Sequence, residues 1–95
     1  MSSASDDGQQ FRVSPDTVYN TLDDQSVLIN VRTNELYELN RTGTRFWELL
    51  SAGHNRRQIQ QLMLQEFDVD EAVLEREINA LHASLQDAGL IVNNY

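Results

Sequence analysis

Apolar and polar residues follow two different periods along this chain, and the change between them falls at Asn40. Before that point the pattern alternates. Phe11-Arg12-Val13 is a short extended piece, and Ser14-Pro15-Asp16 reads as a turn, because Pro15 keeps Ser14 out of the helical region. Thr17–Leu22 is rich in β-branched and aromatic residues and reads as a strand, closed by the polar turn Asp23-Asp24-Gln25. Ser26–Arg32 is a second strand, with Val27, Ile29 and Val31 on one face and Leu28, Asn30 and Arg32 on the other. That is the pattern of a sheet with one face buried and one mostly wet. The chain turns at Thr33-Asn34 and returns as Glu35–Leu39, where Tyr37 and Leu39 share a face opposite Leu36 and Glu38.

Beyond Asn40 the period becomes helical. Gly43, Phe46, Trp47 and Leu50 recur at i, i+3, i+4 and i+7, with Asn40 or Thr42 as cap and Gly53 as the stop. Gly43 in that row implies close packing against a neighbour. Asn55 followed by Gln58 is a variant of the capping box, opening a second helix with the buried row Ile59, Leu62, Met63 and Phe67. Asp70 is expected to cap a third helix, with Glu71 complementing its dipole and Leu74, Ile78, Leu81 and Leu85 forming one long stripe. Glu71–Ala88 would run about 27 Å. Gly89 ends it, and Leu90-Ile91-Val92 is expected to fold back as a short strand. The fold class is therefore α+β: an N-terminal three-stranded antiparallel sheet followed by three helices, a winged helix-turn-helix with its wing first.

Ninety-five residues make one domain, placed at 11–92 between a disordered N-terminal tail (1–10) and a C-terminal tail (93–95). No stretch approaches the roughly 20 apolar residues of a membrane span. The first ten residues lack the basic and apolar regions of a signal peptide. The chain has no cysteine, hence no disulfide framework and no thiol nucleophile. A cytoplasmic protein is the resulting expectation. The formal net charge is −8 and every cation is an arginine, a balance that repels nucleic acid.

No catalytic constellation emerges. His54 and His82 are not spaced as metal ligands, and each reads as a surface or satisfied histidine. Nucleophile-elbow, phosphate-loop and dinucleotide motifs are missing from the sequence. Glu35, Glu38, Glu48, Glu75 and Glu77 fall on predicted solvent faces. Neither enzyme activity nor a cofactor is expected. Phe46 and Trp47 could form a binding platform, but their spacing with Leu50 favours core. Tyr37 is placed over the core with its hydroxyl reaching the surface. A winged-helix DNA-binding regulator is a competing class, but its recognition helix would be the third, which carries Glu71, Glu75, Glu77 and Asp87 against Arg76 alone.

Two features point instead to a groove. A hairpin has edge strands, whose unpaired N–H and C=O groups offer a template to another chain. Ala72, Ala80, Ala83 and Ser84 leave room beside the stripe of the third helix. A strand edge beside such a helix suits an extended peptide, although alanines are also simply good helix formers.

The run Val27-Leu28-Ile29…Leu36-Tyr37-Glu38-Leu39-Asn40-x-Thr42-Gly43-x-x-x-Trp47-x-Leu49-Leu50-x-x-Gly53, continued by Ile59, Phe67 and Leu81…Gly89-Leu90-Ile91, resembles the PqqD-like proteins. These are the peptide-recognition domains of pathways that modify ribosomally made peptides. The resemblance spans about Phe11 to Val92. It implies a protein that is not an enzyme, that binds the leader segment of a precursor peptide as an added β-strand between the third strand and the third helix, and that delivers the precursor to a maturation enzyme. On this chain the strand is Glu35–Leu39, with Leu36 and Glu38 as leading candidates; an offset of one residue would exchange them for Tyr37. The helix contributes Val73, Arg76, Glu77, Ala80 and Ala83. Val13-Ser14-Pro15 and the Leu39–Trp47 run look closer to the discrete leader-binding proteins of lasso-peptide pathways, whose partner is a separate leader protease. The alternative is presentation of a precursor to a radical enzyme in cofactor biosynthesis. Neither nucleic acid nor a membrane is an expected partner.

Overall fold

The hairpin and the three helices stand where the two periods predict them. The computed structural model describes residues 11–93. The elements in order are β1 (Phe11–Val13), β2 (Thr17–Leu22), β3 (Gln25–Asn30), β4 (Glu35–Leu39), α1 (Arg41–Ser51), α2 (Arg56–Glu66), α3 (Glu71–Asp87) and β5 (Ile91–Asn93). The tail assigned to 1–10 and the last two residues lie outside the described part, while β5 takes in Asn93.

The strands divide between two sheets. An antiparallel sheet of order β2-β3-β4 is the three-stranded unit expected, and β1 pairs with β5 in a separate two-stranded sheet. The single N-terminal sheet read from the sequence thus needs correction: the first strand joins the last one, across the whole chain. Gly89 allows this, because its φ of +75° turns the chain back after α3. Ser14 N–H then donates to the Leu90 carbonyl at 2.9 Å, and Val13 pairs with Ile91. Phe11, Leu90 and Ile91 are buried in the common core. Burial of these three large side chains supplies the gain that a distant pairing needs to offset its loop-closure entropy.

α1 forms the centre. Phe46, Trp47, Leu49 and Leu50 are all buried, as are Ile59 and Met63 of α2 and Leu74, Ile78 and Leu85 of α3. Leu62, Phe67 and Leu81 pack against this cluster while half-buried. Asn40 caps α1 by accepting from Gly43 N–H at 2.9 Å. Asn55 and Gln58 form a full capping box, each side chain taking the other's backbone N–H. Asp70 sits at the N-cap of α3 in extended conformation but makes no side-chain cap bond, so its role there is conformational.

The buried face of the three-stranded sheet is the less apolar one. Ser26, Leu28 and Asn30 of β3 are buried, whereas Val27 is exposed and Ile29 half-buried. The reason is that the polar side chains are spent on tying sheet to helices. Ser26 Oγ lies 2.6 Å from Thr44 Oγ1 of α1. Asn30 donates its amide to the Ala88 carbonyl at the end of α3 at 2.9 Å, and its Oδ1 accepts from Arg32 N–H at 3.0 Å. Helix-end carbonyls lack partners within the helix, and Asn30 supplies one. A Cβ on Gly89 would stand 3.1 Å from Asn30 Nδ2, so glycine there also leaves room for that bond.

Candidate functional site

β4 lies at the end of the order β2-β3-β4, so the rim it turns away from β3 carries main-chain groups that this sheet leaves unused. Across from that strand runs α3. Between them is a hollow of about 400 Å³, walled by Glu38, Leu39 and Asn40 at the end of β4, by Thr42 and Gly43 of α1, and by Glu77, Ala80 and Leu81 of α3.

Each wall follows from local sequence. Asn40 ends the strand and caps the helix, so the chain bends sharply at the head of the hollow. Gly43 lets α1 approach β4: an added Cβ would stand 3.1 Å from Leu39 Cδ2 and 3.2 Å from Leu39 Cβ. On α3, Leu74, Ile78 and Leu85 point into the core, which turns Glu77 and Ala80 outward and leaves Leu81 between core and hollow. Ala80 keeps the helix side low. The result is an apolar floor of Leu39, Ala80 and Leu81 with a carboxylate, Glu38 or Glu77, on either side. Such a surface offers main-chain pairing along one rim, an apolar seat beneath, and attraction for a basic group.

Of the residues proposed from the sequence, Glu38, Leu39, Glu77 and Ala80 come together at this hollow. Val73, half-buried, and Arg76 and Ala83, both exposed, lie elsewhere along α3. Glu35 sits beside the turn, where its N–H donates to Thr33 Oγ1 at 3.3 Å. The register settles the facing of β4. Leu28 pairs with Tyr37 and Ser26 with Leu39, so those two strand residues turn toward the helices. Leu36 and Glu38 lie on the opposite face, across from Ile29 and Val27. Tyr37 and Leu39 thus share the inward face, as the alternation predicts. Sequence reasoning missed Asn40, Thr42, Gly43 and Leu81 as walls. The signal was present in Asn40-x-Thr42-Gly43, which reads as a cap and not as the place where strand, helix and groove meet.

The histidines lie apart from the hollow. His54 is half-buried after α1. His82 is neither at the surface nor satisfied: it is buried edge-on to Phe11, with ring centroids 4.2 Å apart, and to Phe46 at 6.3 Å. Its Nδ1 has no hydrogen-bond partner. Burial, and then the nearby Arg56 charge, hold its pKa below the ordinary value. Among the described residues, no group of three or more His, Cys, Asp or Glu could hold a metal ion. No helix among them is long and apolar enough to cross a membrane.

The family model of coenzyme PQQ synthesis protein D (PqqD) matches residues 25–91. The chain belongs to the PqqD family. The matched stretch runs from β3 into β5 and contains both walls of the hollow. Two solved structures are similar to this PqqD-family chain. One is TbiB1 in complex with the TbiA(beta) leader peptide, at 26% identity and TM-score 0.81, covering 88% of this chain and 98% of that one. The other is lasso peptide synthetase B1 complexed with the leader peptide, at 30% identity and TM-score 0.77, covering 87% and 98%. No curated protein matches the chain at a significant level.

Proposed function

We propose that this PqqD-family protein is a non-catalytic, cytoplasmic leader-binding protein of a lasso-peptide pathway. The leader segment of a precursor peptide adds to β4 as a further antiparallel or parallel strand, in the cleft between β4 and α3 of a winged helix-turn-helix domain. The protein then delivers the precursor to a separate leader protease. The observation that carries this reading is the free rim of β4 facing the low, apolar side of α3 across a preformed hollow. The similarity to two leader-bound B1 proteins over nearly their whole length supports it.

The division of labour follows from strand addition. Main-chain bonds to β4 give affinity that tolerates sequence variation, and alternate leader side chains face the protein, where Leu39, Ala80 and Leu81 select apolar ones. Ordering a flexible leader costs about 2–5 kcal/mol, which leaves affinities of roughly nanomolar to micromolar. Glu35, Leu36, Tyr37, Val73, Arg76, Glu77 and Ala83 border the bound strand along its two sides. The exposed Glu71, Glu75, Glu77 and Asp87 of α3 disfavour a role in DNA binding, since they would face phosphates.

The test is a titration of the protein with synthetic leader peptide, repeated with Ala80→Arg. Ala80 is exposed, so the substitution leaves the fold intact, while the long cation fills the hollow. Saturable binding to the parent protein and a loss of at least about tenfold, or about 1.4 kcal/mol, in the variant support the reading. Equal binding by both would show that the cleft is elsewhere.

A further inference from the structure

A second hollow, of about 470 Å³, opens at the same end of β4 as the leader cleft. It is centred on the opposite side of the sheet, where register sets Asn20, Val27 and Glu38 in one row across the three strands. Leu22 and Gln25 flank that row at the hairpin turn. The two hollows meet at Glu38, Leu39 and Asn40, which wall both. Glu38 is the one charged side chain in the lining of the second hollow. Its carboxylate has no ion-pair or hydrogen-bond partner among the described residues, whereas Asp16, Glu48 and Glu66 each meet an arginine.

We propose that this second hollow is a specificity subsite for the leader, seating one long cationic side chain, Lys or Arg, from the residue next to the one that fills the α3-side cleft. The inference rests on the leader-binding reading and names a feature of the leader that the reading leaves open. A strand added to β4 sends successive side chains to opposite faces. The side chain level with Leu39 turns inward, to the apolar floor of Leu39, Ala80 and Leu81. Its neighbour in the leader emerges beside Glu38, since facing side chains on adjacent strands stand about 5 Å apart. Because the two hollows share the end of β4, one bound strand serves both.

The lining selects the side chain. Val27 lies one strand further in than Glu38, about 5 Å, so only a long side chain extends over it. Val27 and Leu22, 36% and 73% exposed, offer apolar surface to a methylene stem. Glu38 then meets a positive head group, and the amide oxygens of Asn20, Gln25 and Asn40 accept its further N–H bonds. An acidic head would be repelled by Glu38 and would find no cation in the lining. A short side chain would leave the hollow empty. An apolar stem with a cationic head is the occupant that uses every wall. The pair stays near solvent, so its share in affinity is about fivefold, which sets the choice of leader more than the strength of capture.

The experiment titrates the full chain with the synthetic leader peptide of its pathway, and with versions in which each Lys or Arg is replaced singly by norleucine, which keeps a stem and removes the charge. The same set is titrated against Glu38→Gln and Glu77→Gln. Both glutamates are exposed, and Glu77 lines the first hollow but not the second, so it reports any general attraction between an acidic protein and a basic peptide. The expected result is one leader position at which norleucine weakens binding about fivefold to the parent and to Glu77→Gln, but less than about twofold to Glu38→Gln. In an alanine scan of the leader, that position stands one or three residues from the apolar residue whose loss costs most. Saturable binding with no such position, equal coupling to Glu38 and Glu77, or an even spacing that puts both leader residues on one face each overturn the subsite and leave leader capture standing. A parent protein that binds no leader defeats the leader-binding reading, and the subsite with it.

Discussion

Ser26 Oγ and Thr44 Oγ1 lie 2.6 Å apart in the buried seam between β3 and α1. This one contact explains why serine occupies an inward strand position that the outward Val27 would fill more cheaply. The pair holds the sheet at a fixed distance from the central helix, and thereby fixes β4, one strand further out. Thr44 has a second outlet, the Leu39 carbonyl at 3.4 Å. Thr44→Val strands the Ser26 hydroxyl and is expected to destabilise by about 1–3 kcal/mol, more than Ser26→Ala does. In the double variant the loss is smaller than the sum of the two. Urea unfolding of the three proteins measures the coupling, and strictly additive losses would contradict the contact.

Gly43 sets the depth of the cleft. A side chain there must push on Leu39 Cβ, which moves only with the backbone of β4. Gly43→Val is expected to destabilise by about 1–3 kcal/mol through overpacking, and to weaken leader binding because the strand rim shifts. Chemical denaturation and a peptide titration on the same variant check both halves.

His82 makes stability depend on pH. Its folded pKa lies below its ordinary value of 6.5, because burial opposes the charge and Arg56 repels it. The unfolded chain therefore takes up a proton that the folded one refuses. Stability is level above that ordinary value and falls as pH drops through about 6.5 toward the folded pKa. Glu66 contributes separately and lower: its pKa is held below the ordinary 4.5 by the hydrogen bond from Arg45, so its share is lost only as pH falls through that depressed value. Melting temperatures from pH 8 to pH 5 are expected to decline for the parent protein, and His82→Leu is expected to flatten that decline.

Arg45 spans two helices, meeting Glu66 of α2 at 2.7 Å and Glu48 of its own helix at 3.1 Å. All three side chains keep a third or more of their surface in solvent, and water screens the pairing. Glu66→Gln is expected to cost less than about 1 kcal/mol at low salt, and less still at high salt. Denaturant midpoints at two salt concentrations distinguish this from a larger structural role.

Much of this architecture is written locally. The turn at Thr33-Asn34 is confirmed by the left-handed φ of 63° at Asn34, and Gly53 and Gly89 take positive φ where helices end. Asn40 and Asn55 cap as their side chains predict. What the chain does not disclose locally is which side of β3 is buried. Val27, Ile29 and Val31 are the more apolar set, and only the distant partners Thr44 and Ala88 make Ser26 and Asn30 the inward residues. The β1–β5 pairing is hidden for the same reason, since it joins Phe11 to Asn93. At the cleft, composition pointed to β4 and α3, but the facing of β4 depends on the register with β3. Alternation alone groups Tyr37 with Leu39 and Leu36 with Glu38, and the register turns the first pair inward.

The most direct test of leader capture is amide hydrogen exchange on the protein with and without saturating leader peptide. Strand addition predicts new protection concentrated in Glu35–Leu39, whose outward amides gain partners, with a smaller effect along the Glu77–Leu81 turn of α3 and little change in β2. Saturable binding with protection confined to another surface, or no change at β4, would contradict the account.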